Sequence, residues 1–281
     1  MSDFDLEDRW KSKAEEIAQS IKMQWDAPAN NGKILLLVEG EDDRVCYFKL
    51  FNHQRVEIRT TEGCNKMKRV FDLIQQYGIP NFAIKDCDFA RVCNDVPSED
   101  NFFTTDFHDH EMMCLSEFEV RKAIFFSYAI IFDEALVNEV FEDLEMLSFF
   151  KWFNYSSHSN VNFNGYNVRG KEKSDLRSFN AIYETVMPQS PNCVTAITEK
   201  DVLDFVNKYH ERNYYEITNG HDFISALAKS IEQKYGVKNL KEKDIRLIIN
   251  AKYSLDFFIK TNLYSDICAW AGEMSSELFA A

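Results

Sequence analysis

Three carboxylates stand at the ends of two apolar segments in the first third of the chain. Glu39 directly follows the apolar run Ile34–Val38, and Asp86 and Asp88 follow a second apolar segment at 82–84. Residues just past the carboxyl ends of parallel strands face one crevice of an α/β sheet, so these side chains could converge although they are distant in sequence. Carboxylate oxygens are the donors that Mg²⁺ and Mn²⁺ prefer. The spacing therefore predicts a site for one of these ions.

The acidic run after the first apolar segment has two interpretations. Glu39 is followed by a glycine, which permits a sharp turn, and then by three acidic residues at the start of a predicted helix: Glu41, Asp42 and Asp43. Acidic residues favour a helix N-terminus, which accounts for Glu41 and Asp43 without any function. This preference accounts less well for a glutamate at the strand end itself. A structural and a functional role for Glu39 both stay open.

The aspartate pair in the segment AIKDCDF is the second element of the predicted site. Asp86 and Asp88 are two residues apart, so in an extended segment both side chains point to the same side. They could then bind one cation or a pair of cations. A DxD sequence alone is a weak signal, and its place after a buried strand strengthens it.

A further acidic run, TTDFHDHEMM, follows two phenylalanines that are typical of another strand. That strand would bring Asp106 to the sheet edge that carries the aspartate pair. If the run is extended, Asp109 and Glu111 share one face, while His108 and His110 lie on the other with Asp106. The alternative is a solvated charged surface in which the histidines are structural groups.

Apolar patterns predict an α/β fold in the first part of the chain. Strand patterns lie at 34–38, 56–60 and 82–84, and helical patterns lie at 6–25, about 42–51 and 64–77. Strands that alternate with helices imply a mainly parallel sheet covered by helices. We therefore predict an amphipathic helix and linker at 1–32 and an α/β domain at 33–115.

The remainder of the chain has longer, aromatic-rich helical patterns, which lie at 117–126, 134–147, 199–209, 223–235 and 242–255. Residues 154–175 are rich in Asn, Ser and Gly, which predicts a loop or a short hairpin. We predict that residues 116–281 form a mainly helical domain that binds a substrate or a partner.

Composition bounds the class of protein. The chain has 281 residues and 45% apolar content, enough for one large or two modest domains with a substantial core. No apolar run approaches the roughly 20 residues that span a bilayer, and the start MSDFDLEDRW lacks the features of a signal peptide. Seven cysteines without any CxxC pair favour free thiols. We therefore expect a cytoplasmic protein that does not associate with a membrane.

The formal charge of −14 bears on nucleic-acid binding. Proteins that hold nucleic acid alone usually carry a basic excess, because cations replace the counterions of the phosphates. A carboxylate site inflates the negative total until a bound metal offsets part of it, so phosphodiester chemistry is not excluded. The charge argues against tight autonomous binding of a polyanion.

Two basic segments could contact phosphate. Lys66 lies with two further cations at the start of a predicted helix, EGCNKMKR, where backbone N–H groups could also hold a phosphate. A second basic stretch at 169–173 is flanked by Phe163 and Tyr166, which could stack on bases. An ordinary solvated surface is the alternative for both.

The motifs LLLVEGEDD, AIKDCDF and TDFHDHE together resemble the TOPRIM fold of topoisomerases, primases and OLD-type nucleases. The similarity extends to the small AriB-type TOPRIM effectors that accompany ABC-type ATPases in bacterial anti-phage systems. For these the segments VEGEDDRVCYFKLF, EGCNK, TDFHDHEMM and NGHDF resemble the shared motifs. The match covers residues 34–115 and the single downstream segment at 219–223.

The resemblance implies a Rossmann-like TOPRIM domain and a Mg²⁺-dependent nuclease, with Mn²⁺ as an alternative metal. It implies that Glu39 acts as general acid or base or completes the metal shell, and that Asp86 and Asp88 hold the metal. It adds Asp109 and Glu111 as further acidic members. Lys66 is predicted to bind the substrate phosphate from its place at the helix start, not from the resemblance.

The same resemblance implies a toxic effector of antiviral defence that an ABC-type ATPase subunit holds in check. Structured RNA such as tRNA, or DNA, would be the substrate, and whether the chain acts as a homodimer is left open. The alternative is a non-catalytic TOPRIM subunit that docks on the ATPase assembly. His221 and Asp222 are similar to the metal pair of HD-type phosphohydrolases, but no second HD motif completes such a site.

Overall fold

The computed structural model describes residues 3–97, 99–193, 196–209 and 212–280, with side chains from residue 9 onward. The strands are β1 Ile34–Val38, β2 Val56–Thr60, β3 Asn81–Lys85 and β4 Phe102–Thr104. The helices are α1 Asp3–Trp25, α2 Glu41–Phe48, α3 Cys64–Gln76, α4 His110–Leu115, α5 Phe118–Phe126, α6 Glu134–Ser157, α7 Lys173–Leu176, α8 Phe179–Val186, α9 Glu199–Val206, α10 Tyr214–Ile217, α11 Gly220–Tyr235, α12 Glu242–Lys252, α13 Leu255–Phe258, α14 Asn262–Ala271 and α15 Ser275–Leu278.

The chain folds into two compact units that are each built from separate segments. Unit 1 comprises Met1–Cys87, Val96–Asp106 and Tyr253–Ala281. Unit 2 comprises Asp88–Asp95 and Phe107–Lys252. All four strands belong to unit 1, together with helices from both ends of the chain. In the part of the chain that the structure describes, no helix is long and apolar enough to cross a bilayer.

Unit 1 is organised around a four-stranded parallel sheet with the order β2-β1-β3-β4. Leu36 of the central strand β1 lies opposite Ile58 of β2 and Phe82 of β3. The continuous aliphatic sequence of β1 suits this position, because a central parallel strand is buried on both faces. The predicted α/β class, with a parallel sheet and flanking helices, is confirmed, and β1 and β2 have the predicted bounds.

One face of the sheet is covered by α1 and α3. Ala14 and Ala18 of α1 and Phe71 of α3 are fully buried against Leu35 and Leu37 of β1. The alanines are four residues apart, so they lie on one face of the helix. Because their side chains are small, the sheet and α3 can pack closely against that face. The predicted amphipathic helix is confirmed in this stretch. At the end of its predicted apolar stripe Trp10 is 44% exposed, and the side chain of Leu6 lies outside the described residues.

The other face carries an aromatic core to which the C-terminal segment contributes. The ring of Phe82 lies 5.7 Å from that of Phe51 and 5.2 Å from that of Trp270 on α14. Phe51 and Phe279 form an isolated antiparallel bridge, with their rings 5.1 Å apart. Residues 253–281 therefore complete the hydrophobic core of the sheet, although they follow β3 by more than 160 residues.

Unit 2 is helical and is organised around α6, a helix of 24 residues. Phe141 on α6 contacts Phe223 on α11, with ring centroids 4.5 Å apart, and Trp152 contacts Phe205 on α9. The helices predicted after residue 115 are all present with shifted bounds. The stretch predicted at 242–255 ends as α12 at Lys252, and a separate short helix begins at Leu255. Residues 154–175 contain no strand, so the hairpin alternative for this segment is wrong.

Replacement of Phe82 by alanine tests the aromatic core of unit 1. The Phe82 side chain is fully buried, so Phe82→Ala should lower the free energy of unfolding of this unit by about 3–5 kcal/mol, through lost burial and the cavity left behind. Chemical denaturation followed by tryptophan fluorescence measures the loss. Phe48→Ala is the matched control, because Phe48 is 50% exposed and its removal should change stability by less than about 1 kcal/mol. Equal losses for both variants would contradict the assigned core.

Candidate metal centre

Two of the predicted site residues meet at the carboxyl end of the central strands of unit 1. Glu39 directly follows β1 and Asp86 follows β3, and these strands pair in register with Val38 opposite Ile84. The backbone N–H of Asp86 donates a hydrogen bond to Oε1 of Glu39 at 3.2 Å. Both side chains are half-buried. Parallel pairing therefore brings the Glu39 carboxylate to the backbone of Asp86, which is 47 residues away in the chain.

A third carboxylate, Asp43, belongs to the same cluster. One carboxylate oxygen of Asp43 lies within 4.8 Å of one of Asp86. Asp43 is only 8% exposed, and its Oδ2 accepts the N–H of Gly40, the residue that precedes α2, at 2.9 Å. The sequence interpretation assigned Asp43 to the helix N-terminus alone. No signal in the sequence distinguishes Asp43 from its acidic neighbours, because the fold decides which side of the start of α2 faces the strand ends.

The donor chemistry of this cluster fits a hard divalent cation. Glu39, Asp43 and Asp86 present carboxylate oxygens, which are the ligands of Mg²⁺ and Mn²⁺ in proteins. The carboxylates of Asp43 and Asp86 are close enough to repel one another, and a bound cation would offset the repulsion. The cluster stands where ligands bind in open α/β sheets, at the carboxyl ends of the strands.

Asp88 belongs to unit 2, because the division between the units falls after Cys87. Its backbone is left-handed, with φ of 49°, and its N–H donates to the carbonyl of His108 at 2.7 Å. Aspartate tolerates this conformation better than most residues. The segment is therefore not extended at Asp88, so the prediction that alternation along a strand directs Asp86 and Asp88 to one side is wrong.

Asp109 joins two helices of unit 2. The run HDHEMM is not extended, because α4 begins at His110, and the predicted sharing of faces by alternation is wrong for Asp109 and Glu111. Asp109 caps α4, accepting the Met112 N–H at 2.8 Å through Oδ1 and the Gly220 N–H at 2.6 Å through Oδ2. Burial and the neighbouring Glu111 raise the pKa of Asp109 to about 6, against the lowering effect of His108 and these N–H groups.

Glu111 lies buried among basic side chains of unit 2. Its Oε1 is 3.2 Å from Nε2 of His221 and 3.5 Å from Nε of Arg246, and its Oε2 is 3.3 Å from Nδ1 of His110. Burial raises the pKa of Glu111, but these neighbours outweigh it and bring the pKa down to about 2. His221 donates a hydrogen bond to the Glu111 carboxylate, and this bond raises the pKa of His221 in turn. Metal-binding roles for Asp109 and Glu111 stay predictions.

The downstream segment NGHDF contacts the acidic run directly. Gly220 donates to Asp109 and His221 pairs with Glu111, so two motifs about 110 residues apart in the chain form one polar cluster. Asp222 instead pairs with Lys151. His221 and Asp222 thus have separate partners, unlike the two members of a shared metal pair.

The basic segments singled out in the sequence make local contacts. Lys66 donates to the carbonyl of Glu62, and its substrate-binding role stays a prediction. In the second basic stretch Arg169 pairs with Glu232 at 2.7 Å, and Lys173 pairs with Glu139 at 2.6 Å. These ion pairs give that stretch a structural role within unit 2.

Comparison with known proteins does not identify the chain. No family model matches it, and neither a curated protein nor a solved structure matches it at a significant level. The TOPRIM resemblance and the activity that it implies therefore stay predictions, which rest on the motifs and on the geometry described above.

Gly220→Ala tests the polar cluster between α4 and α11. A Cβ at this position would lie 2.5 Å from Oδ1 of Asp109 and 2.6 Å from Cβ of Glu111. We expect a loss of about 1–3 kcal/mol in the free energy of unfolding, measured by urea denaturation, because the backbone must shift and weaken the Asp109 bond. Gln233→Ala, at an exposed position of the same helix, is the control and should be nearly neutral. A neutral Gly220→Ala would show that this close approach is not needed.

The Glu111–His221 pair predicts a pH dependence of stability. Because the folded protein raises the pKa of His221 above 6.5, protonated His221 stabilises the fold. This contribution is fully present below pH 6.5 and is lost as the pH rises through the raised pKa. The free energy of unfolding, measured from pH 6 to about pH 9, should therefore fall more steeply for the wild type than for His221→Gln. Parallel curves would contradict the pairing.

Proposed function

We propose that the chain is a metal-dependent nuclease, a hydrolase of phosphodiester bonds, whose active-site carboxylates are Glu39, Asp43 and Asp86. The observations that carry the proposal lie at the carboxyl end of a parallel sheet, where Glu39 accepts the backbone N–H of Asp86 and a carboxylate oxygen of Asp43 lies within 4.8 Å of one of Asp86. A cluster of carboxylates at this edge is suited to divalent-metal chemistry, and the motifs around it resemble those of TOPRIM nucleases.

The three carboxylates would hold Mg²⁺ or Mn²⁺, which when bound polarises the phosphate and offsets its negative charge. The backbone N–H of Asp86 holds one oxygen of Glu39, so this carboxylate is oriented before substrate arrives. Glu39 is then the group to take a proton from the attacking water or hydroxyl. Asp43 is fixed by its bond from Gly40. A metal-binding role for Asp88 stays a prediction from the resemblance.

The substrate class follows from the same chemistry together with the charge of the chain. Phosphodiesters of RNA such as tRNA, or of DNA, are the proposed substrates. With a net charge of −14 the chain is poorly suited to tight binding of a polyanion on its own, so a partner would supply affinity or control. We propose an ABC-type ATPase as that partner and antiviral defence as the setting, both from the resemblance.

A non-catalytic docking subunit is the second candidate function. The observation that favours it is that Glu39 and Asp43 each accept a backbone N–H, so both carboxylates also stabilise the fold. In that case Glu39 and Asp43 would stabilise the fold and would take no part in catalysis.

Replacement of single carboxylates tests the nuclease. Asp86→Asn and Asp43→Asn should each lower the rate of cleavage of tRNA or plasmid DNA in Mg²⁺ or Mn²⁺ by at least about 10²–10³-fold, because each removes a metal ligand. Glu41→Gln is the matched control, since Glu41 is an exposed residue of α2 that pairs with Arg44. It should cut like the wild type. Full activity of Asp43→Asn would show that Asp43 is not a metal ligand.

Calorimetric titration of Mn²⁺ tests the metal centre itself when the isolated chain does not cut. Wild type and Glu41→Gln should bind the metal, and Asp86→Asn should bind it at least tenfold more weakly. Thermal unfolding of each variant checks that the fold is retained. Metal binding without cleavage of either nucleic acid would favour the docking subunit or a requirement for the partner, and absence of metal binding would contradict the metal centre.

A further inference from the structure

A pocket of about 790 Å³ lies in unit 1 between the α2–β2 connection and the C-terminal segment. Its volume falls within the range of small-molecule sites. The connection contributes residues 49 and 51–54, and the C-terminal segment contributes residues of α14 and α15 and the stretch after them.

The walls of this pocket are fixed by contacts between the two segments. The N–H of Asn52 donates to the carbonyl of Leu278 at 2.8 Å, and the N–H of Ala280 donates to the carbonyl of Leu50 at 2.9 Å. The side-chain amide of Asn52 also donates to the carbonyl of Glu277 at 3.1 Å. The pocket is therefore largely formed before a ligand enters, which lowers the entropic cost of binding.

The charge of the lining is opposite to that of the chain. Among the described residues that line the pocket no carboxylate side chain occurs, whereas Lys49 and His53 are both present. Lys49 is half-buried and lines the pocket. His53 is exposed, and its ring is held by stacking on Phe48 at a centroid distance of 3.8 Å. In a protein with 46 acidic residues this lining favours an anion.

The rest of the lining suits a planar group with polar edges. The rings of Tyr264 and Phe279 lie 4.6 Å apart and form one aromatic wall. Gln54, Ser275 and Ser276 add amide and hydroxyl groups that can donate and accept hydrogen bonds. Aromatic side chains stack on nucleobases, and hydroxyls and amides bind sugar and base edges.

We propose that this pocket binds a nucleoside 5′-phosphate, with the phosphate near Lys49 and His53 and the base against Tyr264 and Phe279. Helix α2 runs from the carboxyl end of the sheet, where it begins beside Glu39, back to the start of β2. The pocket therefore lies at the amino-terminal end of the strands, away from the carboxylate cluster of unit 1. It is a separate ligand site and goes beyond the proposed nuclease.

Isothermal titration of the full chain with AMP tests the proposal, with adenosine and inorganic phosphate as partial ligands. AMP should bind with one site per chain and at least tenfold more tightly than either partial ligand. Lys49→Gln and His53→Gln should each weaken AMP binding, Lys49→Gln by at least tenfold. Lys260→Gln is the matched control, because Lys260 is an exposed lysine of unit 1 outside the pocket, and it should bind like the wild type.

Glu39→Gln distinguishes this pocket from the carboxylate cluster and should bind AMP as the wild type does, whether or not the chain proves to be a nuclease. Thermal unfolding shows whether each variant folds. If Lys49→Gln does not fold, the effect of His53→Gln, a substitution at an exposed position, tests the proposal instead. Absence of AMP binding at about 5 mM would overturn the proposal. Equal binding of AMP and phosphate, or loss of binding in Glu39→Gln with retention in Lys49→Gln and His53→Gln, would also overturn it.

Discussion

The parallel pairing of β1 with β3 is the constraint on which the candidate metal centre depends. Because Val38 lies opposite Ile84, the residues that follow these strands leave the sheet at the same edge. The hydrogen bond from the Asp86 N–H to Glu39 connects the segments that follow β1 and β3 at that edge. A shift of the register by one residue would exchange the side chains that β1 presents to the two buried faces of the sheet, so the packing on both faces also fixes the position of the carboxylates.

Buried and half-buried carboxylates are stabilised differently in the two units. In unit 1 Glu39 and Asp43 accept backbone N–H groups but lie close to Asp86, so the cluster gathers negative charge. In unit 2 Glu111 is surrounded by basic side chains, which lower its pKa despite burial. A bound cation would therefore stabilise the carboxylates of unit 1. In unit 2 the protein's own basic side chains already balance the charge of Glu111. This contrast is why we base the proposed function on unit 1.

The strong negative charge of the chain is distributed unevenly. In the second basic stretch, Arg169 and Lys173 pair with carboxylates of unit 2. The pocket formed by the α2–β2 connection and the C-terminal segment instead combines two basic side chains with an aromatic wall. An acidic protein can therefore carry a local anion site, because at physiological ionic strength charges more than about 8–10 Å away are largely screened.

The sequence by itself determined the local elements and the residues at their ends. The aliphatic run of β1 and the alternation of apolar and polar residues in β2 identify both strands with their correct bounds. This is possible because the burial of a strand is reflected in the polarity of consecutive residues. Glu39 and Asp86 could be predicted as neighbours for the same reason. Only the tertiary structure decided that residues 253–281 complete the core of unit 1, that Asp43 joins the cluster and that Asp109 caps a helix against Gly220. These features depend on contacts between distant segments or on which side of a helix start faces the sheet, and no local periodicity of the sequence encodes either.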